Sequence, residues 1–331
     1  MTTNRERLLQ AFNNEPVDRV PVGFWFHFLP DGDERYAGLE RPELIAENIE
    51  GHKKYIQEFD PDFVKIMSDG YFGHPSLRGK KFEKPEDLLA VEPLPSDHPW
   101  IKGQVALVKE VVKAAGKERS SFYNIFSPLT VLRQELSNAK VGEFFKTNPE
   151  IIQKIVNIFA QDQAEVARRV ITEGGAEGIY LSVQTPEDQI ISGEDYTQYI
   201  RASEDVVLAA ANALSQYNIL HICGYRGHKN DVKIWQDAGA AVINWAVTFE
   251  PLSLEEGKQI FAGRAVIGGF NNNPGELLDA GSKEEIEAET ERLLNNAGKI
   301  GVILGADCTV PSTIDIARLN WVRRKLLPFE C

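Results

Sequence analysis

The imidazole of His221 and the thiols of Cys223 and Cys308 are the side chains in this sequence best suited to bind a metal ion. His221 and Cys223 stand two apart in His221-Ile222-Cys223, at the end of an apolar run that predicts a strand. Alternate residues of a strand point to the same face, so one segment can present both donors together. Cys308 follows another predicted strand end and would bring a third donor from far along the chain. Two thiolates and one imidazole form a zinc donor set that leaves the fourth tetrahedral position open to water or substrate. A free thiol has a pKa of about 8.5; coordination removes its proton outright and leaves sulfur lone pairs for attack. Either cysteine alone would read as inert packing, because reduced Cys is among the most buried residue types. The shared strand-end position of all three argues for a site. Cys331 is the last residue and is assigned no role.

Such a site needs elements that bring distant strand ends together. Short apolar runs alternate with longer amphipathic stretches, the pattern of repeated βα units. The expected strands are Val20–Phe28, Phe63–Ser68, Ser121–Phe126, Gly178–Val183, Asn218–Cys223, Ala241–Trp245, Ala265–Phe270 and Gly301–Ala306. Helices are expected over Pro42–Phe59, Ile101–Ala115, Pro149–Glu173, Gly193–Ser215, Ser282–Ala297 and Ile314–Leu327, the fifth opening with a Ser282/Glu285 capping box. Eight strands with intervening helices predict an α/β fold, a single (β/α)8 TIM barrel spanning 1–331, with Thr3–Asn13 as an N-terminal capping helix. A doubly wound sheet is the alternative, but no Gly-rich dinucleotide fingerprint follows any strand. Gly70–Trp100 reads as an elaborated loop with a short helix near Pro85–Ala90. In such barrels the working residues lie at the C-terminal strand ends, where all three metal-binding candidates fall.

Other candidates occupy the same rim. Asp69 would orient a substrate or carry a proton, and Tyr180, Gln184, Asn244 and Asn271 would donate hydrogen bonds to it. His27 either approaches the pocket or is a satisfied rim histidine, and His228 reads as solvated. Phe24, Trp25, Phe26 and Phe28 form either a wall for a flat ligand or ordinary barrel packing.

Composition narrows the function classes. Among 331 residues, 43% are hydrophobic and 26% charged, a globular balance. The formal net charge is −13 and no basic cluster occurs, which argues against nucleic acid as a partner. No run approaches the roughly 18 consecutive apolar residues of a membrane span. The polar N-terminus lacks a signal-peptide core, and three cysteines make no disulfide framework, so a cytoplasmic location is expected.

Three stretches resemble the uroporphyrinogen decarboxylase superfamily: Asp18-Arg19-Val20-Pro21-Val22, Lys65-Ile66-Met67-Ser68-Asp69, and Gly305-Ala306-Asp307-Cys308-Thr309-Val310-Pro311. The similarity runs through the whole chain, including Gly268-Gly269-Phe270-Asn271, and implies a (β/α)8 barrel. Its decarboxylase branch grips substrate carboxylates with an Arg-Gln-Ala-Gly-Arg segment after the first strand. The corresponding Gly23–Pro30 stretch holds no arginine, although Asp69 aligns with that branch's catalytic aspartate. The other branch, corrinoid-linked methyltransferases of the methylcobalamin:coenzyme M type, carries a His-x-Cys…Cys zinc motif that His221, Cys223 and Cys308 match, with Gly224 following. That resemblance implies a zinc-dependent transfer of a methyl group between a corrinoid (cobalamin) and a small-molecule thiol. A separate corrinoid carrier protein is expected, because no Asp-x-His-x-x-Gly segment occurs here. Decarboxylase-branch relatives suggest a homodimer. The competing expectations are a metal-free decarboxylase centred on Asp69 and a non-catalytic accessory that docks a corrinoid protein.

Overall fold

The computed structural model describes residues 2–186, 190–224 and 227–327; Cys331 lies outside them. Seven parallel strands pair in chain order: β1 (Phe63–Ile66), β2 (Ser120–Phe126), β3 (Gly178–Val183), β4 (Ile219–Ile222), β5 (Val242–Trp245), β6 (Ala265–Phe270) and β7 (Val302–Ala306). The strictly sequential order excludes a doubly wound sheet, whose strand order reverses at a switch point.

The strands are buried on both faces, and their side chains sort by alternation. Phe63 and Met67, Phe122, Tyr180, Ile219, Val242, Ala265 and Ile303 share an inner cluster. Val64, Ile66, Tyr123, Ile125, Leu220, Ile222 and Leu304 face outward into the larger core with the helices. Leu8, Ala11 and Phe12 of the Asn4–Phe12 helix join the inner cluster, so this helix packs across strand residues rather than beside them. Thr3 and Glu6 close its N-terminus in a reciprocal capping box.

One expected strand is not one. Val20–Phe28 runs extended but makes a single bridge, Val22 with Leu304. The reason lies in its donors: Pro21 has no N–H, Val22 gives its N–H to the Asp62 carboxylate, and Phe24 gives its own to the Tyr55 hydroxyl. What survives are Gly23 N–H to Leu304 O at 3.1 Å and Leu304 N–H to Pro21 O at 2.9 Å on one side. On the other side Asp62 N–H reaches Val22 O at 3.0 Å, so the segment stands between β7 and β1. Gly305 permits the approach, since a Cβ there would lie 2.9 Å from Gly23 O. Asp62 is fully buried and is compensated by Arg7 and Arg19, each within 2.9 Å.

The helix expectations hold for Pro42–Phe59 and, within a residue or two at the ends, for those starting at Pro99, Pro149, Lys283 and Ile316. Gly193–Ser215 is two helices, Gly193–Tyr199 and Arg201–Asn212. Helices Pro128–Leu136 and Asn138–Thr147, absent from the sequence reading, follow β2 and frame one wall of the site.

Candidate metal centre

β4 delivers His221 to the inner face, and the chain continues the ladder one residue further, with Cys223 N–H bonded to Val183 O at 2.8 Å. Gly224 then lets the backbone turn away: a Cβ there would lie 2.3 Å from that of Ala246. Asn230 fixes this turn by donating to Cys223 O at 3.0 Å while accepting from the Thr185 N–H and hydroxyl. Cys308 arrives from the loop after β7. Its neighbour Asp307 is buried and accepts from the Thr248 N–H and hydroxyl, tying that loop to the one after β5. Asn272 donates to Thr309 O at 3.0 Å on the other side of Cys308.

The three donors converge. Cys223 Sγ and Cys308 Sγ are 3.6 Å apart, Cys308 Sγ is 3.6 Å from His221 Nε2, and all three atoms lie within 4.8 Å of one another. A tetrahedral zinc site, with Zn–S about 2.3 Å and Zn–N about 2.0–2.1 Å, requires S···S of about 3.8 Å and S···N of about 3.6 Å. The donor set and the two 3.6 Å spacings match those a tetrahedral zinc requires, and at 3.6 Å the sulfurs are not a disulfide.

Electrostatics favour the ligating forms. Burial, and then the charge of Lys65, hold the His221 ring below its usual pKa and therefore neutral. The Cys308 thiol is drawn well below the usual range by its hydrogen bond with Cys223; burial opposes this, while His221 and Lys65 reinforce it. Trp25 packs edge-on to His221 at 6.3 Å and Tyr180 lies 5.9 Å from it, walling the ring from water.

A cavity of about 500 Å³ opens over the donors, lined among others by His27, Arg35, Lys65, Arg133, Gln184 and Thr309. Of the four residues expected to bind substrate, Gln184 lines it and accepts from Arg133 at 2.6 Å. Tyr180 and Asn244 are fully buried behind His221, hydrogen-bonded to each other at 2.9 Å, with Asn244 paired to His221 across β4 and β5. Asn271 turns back to cap Asn273, and Asn272 reaches the Cys308 loop instead. Asp69, expected to act on substrate, is 0% exposed. One of its oxygens accepts from Phe28 and Leu29 N–H and the other binds His27 Nδ1 at 2.8 Å. Burial would push this carboxyl up, but His27 and the Leu29 N–H hold it below the usual carboxylate value. His27 is the member of this pair that meets the cavity. His228 is partly buried beside Thr185, 3.1 Å from its hydroxyl, rather than solvated.

Gly23–Pro30 holds no arginine, and the two arginines that line the cavity are Arg35 and Arg133, the latter from the unanticipated Pro128–Leu136 helix. Neither carried a spacing signal linking it to the metal candidates. Lys65 was visible inside the second expected strand, where alternation could have placed it facing Phe63 and Met67 inward.

The family model for uroporphyrinogen decarboxylase matches residues 64–324. The chain belongs to the uroporphyrinogen decarboxylase family. Within the family's reach, it is 23% identical over 349 residues to the methylcobamide:CoM methyltransferase MtbA of Methanosarcina acetivorans, covering 96% of each chain. Its namesake from Methanosarcina mazei is 23% identical over 343 residues, with the same coverage. Among solved structures, a methyltransferase from Methanosarcina mazei superposes with a TM-score of 0.75 at 18% identity, covering 98% of both chains. A B12-independent methionine synthase from Shewanella sp. W3-18-1 gives 0.59 at 13% identity, covering 93% of this chain and 97% of that one. Both structural likenesses concern the fold. Among the described residues no helix is long and apolar enough to cross a membrane.

Proposed function

We propose that this chain is a corrinoid-linked methyltransferase that binds zinc through His221, Cys223 and Cys308. It moves a methyl group between a corrinoid on a carrier protein and a small thiol. The observation that carries this reading is the convergence of two thiols and one imidazole at zinc spacing beneath an open cavity. The whole-length similarity to methylcobamide:CoM methyltransferases supports it.

Bound there, zinc would hold the substrate thiol as a thiolate with lone pairs available for attack. The chain's own residues do the rest. Trp25 and Tyr180 exclude water behind the donors, and His221 stays neutral and ligating. Asn230, Asp307 and Asn272 fix the loops that carry the two cysteines. The thiolate would be the acceptor sulfur, and a methylcorrinoid on the carrier protein would supply the methyl group.

The same reading makes 1–331 one cytoplasmic (β/α)8 domain, closed by Val20–Phe28 and floored by the Asn4–Phe12 helix, acting as a homodimer with a separate corrinoid protein. Asp69 and His27 form a positioning pair, with His27 facing substrate. A decarboxylase reading would place Asp69 against substrate, but both of its oxygens are engaged within the protein.

The test is incubation of zinc-loaded protein with free methylcobalamin and either CoM or 2-mercaptoethanol. Thioether formation with matching loss of methylcobalamin is expected, and it disappears in His221→Ala. A fully zinc-loaded protein that transfers methyl to neither thiol would overturn the reading.

A further inference from the structure

On the inner face of β1, Lys65 projects between Phe63 and Met67 and is 4% exposed. Its ammonium lies 4.0 Å from the Tyr180 ring centroid and 5.2 Å from that of Trp25, the two aromatics that wall His221. Among the described residues no carboxylate comes within ion-pair distance of it. Asp69, a few residues further along, is turned away toward His27 and the backbone. The hydrogen-bonded polar groups at the same level of the barrel, Asn124, Ser182 and Asn244, are all neutral and engaged with one another or with the backbone. Lys65 shares the cavity wall with His221, Cys223 and Cys308.

Burying a cation without an ion-pair partner is costly, and aromatic faces recover only part of that cost. Its retention therefore calls for an anion in the cavity. Zinc, two cysteinates and a neutral imidazole sum to zero charge, so the resting site does not supply that anion. A substrate thiolate in the fourth position does: it brings one negative charge, and Lys65 carries one positive charge.

We propose that Lys65 is the counter-charge for a thiolate bound at this site, a positioning residue that makes the fourth coordination position selective for anionic sulfur over neutral ligands. This rests on the zinc-site reading and deepens it. Burial draws the Lys65 ammonium down while negative charge at the sulfur donors acts the other way, so an anion held at this site favours its charged form. An uncharged alkyl thiol suffices as the partner, because the charge being matched is on the sulfur and not on a substrate tail.

The test compares zinc-loaded wild type, Lys65→Met and Lys65→Arg by calorimetric titration at pH 7 with two probes. 2-Mercaptoethanol binds as an anion, and imidazole binds neutral. Lys65→Met is expected to weaken thiol binding by about tenfold or more while imidazole affinity stays within about twofold. Lys65→Arg, which keeps the charge, should hold thiol binding within about threefold of wild type. Metal content and thermal melting verify that each variant is folded and loaded. Unchanged thiol affinity in Lys65→Met, or an equal loss for thiol and imidazole, would overturn the role of Lys65 while leaving the zinc site intact. A zinc-loaded wild type that takes up no thiol would instead overturn the methyltransferase reading together with the role built on it.

Discussion

Cys223 Sγ stands 3.6 Å from Cys308 Sγ although 85 positions separate them in the chain. The two arrive on different loops, one continuing β4 and one following β7. Each loop is tied down by a side chain that touches no metal donor atom: Asn230 holds the carbonyl of Cys223, and Asp307 ties the Cys308 loop to Thr248.

Asn230 is accordingly expected to govern metal retention. Asn230→Ala frees the Cys223 carbonyl and the Thr185 N–H, so the thiol loses its fixed direction. Zinc affinity should fall by roughly tenfold to a hundredfold, measured by competition with a chromophoric chelator. An affinity equal to wild type would show that the turn needs no such tie.

Asp69 should prove a structural and positioning residue rather than a metal-site one. Asp69→Ala leaves the buried N–H groups of Phe28 and Leu29 without their acceptor and releases His27. Denaturant unfolding should report a loss of roughly 2–6 kcal/mol, at about 1–3 kcal/mol for each of the two stranded groups. Zinc content should be unchanged. Loss of zinc with full stability would contradict this placement.

Stability should also depend on Glu204 in a defined pH window. Its carboxyl is fully buried, accepts from Trp235 Nε1 at 2.7 Å and from the Tyr196 hydroxyl, and burial raises it from 4.5 to about 7. The folded protein therefore holds a proton that the unfolded chain releases above 4.5. The associated stability is full below that value and is lost as pH rises through about 7. At about 1.4 kcal/mol per unit, the loss reaches up to roughly 3 kcal/mol. Glu204→Gln keeps the shape and never ionises. It should melt much like wild type near pH 5 and higher than wild type at pH 8. Parallel Tm–pH curves for the two proteins would contradict this.

Much of this was readable from residue types and spacing. Alternation placed His221 and Cys223 on one face, and strand-end logic brought Cys308 to them, because side-chain direction in a strand is a local property. The first expected strand failed for a reason outside its own run. Its aromatic and β-branched content suits a strand, yet Val22 and Phe24 give their N–H groups to Asp62 and Tyr55, which no periodicity reveals. Tyr180 and Asn244 lie beside His221 but bond to each other behind it, since rim position alone does not say which polar groups satisfy one another. Arg133 went unseen because its helix was not recognised: the short, mixed-polarity Pro128–Leu136 run offers little periodicity to read.

Protein purified under reducing conditions, with zinc supplied, is expected to hold about one zinc per chain by elemental analysis, and Cys308→Ala to hold almost none. Wild type without zinc, or a Cys308→Ala variant that binds it as well as wild type, would contradict the central claim.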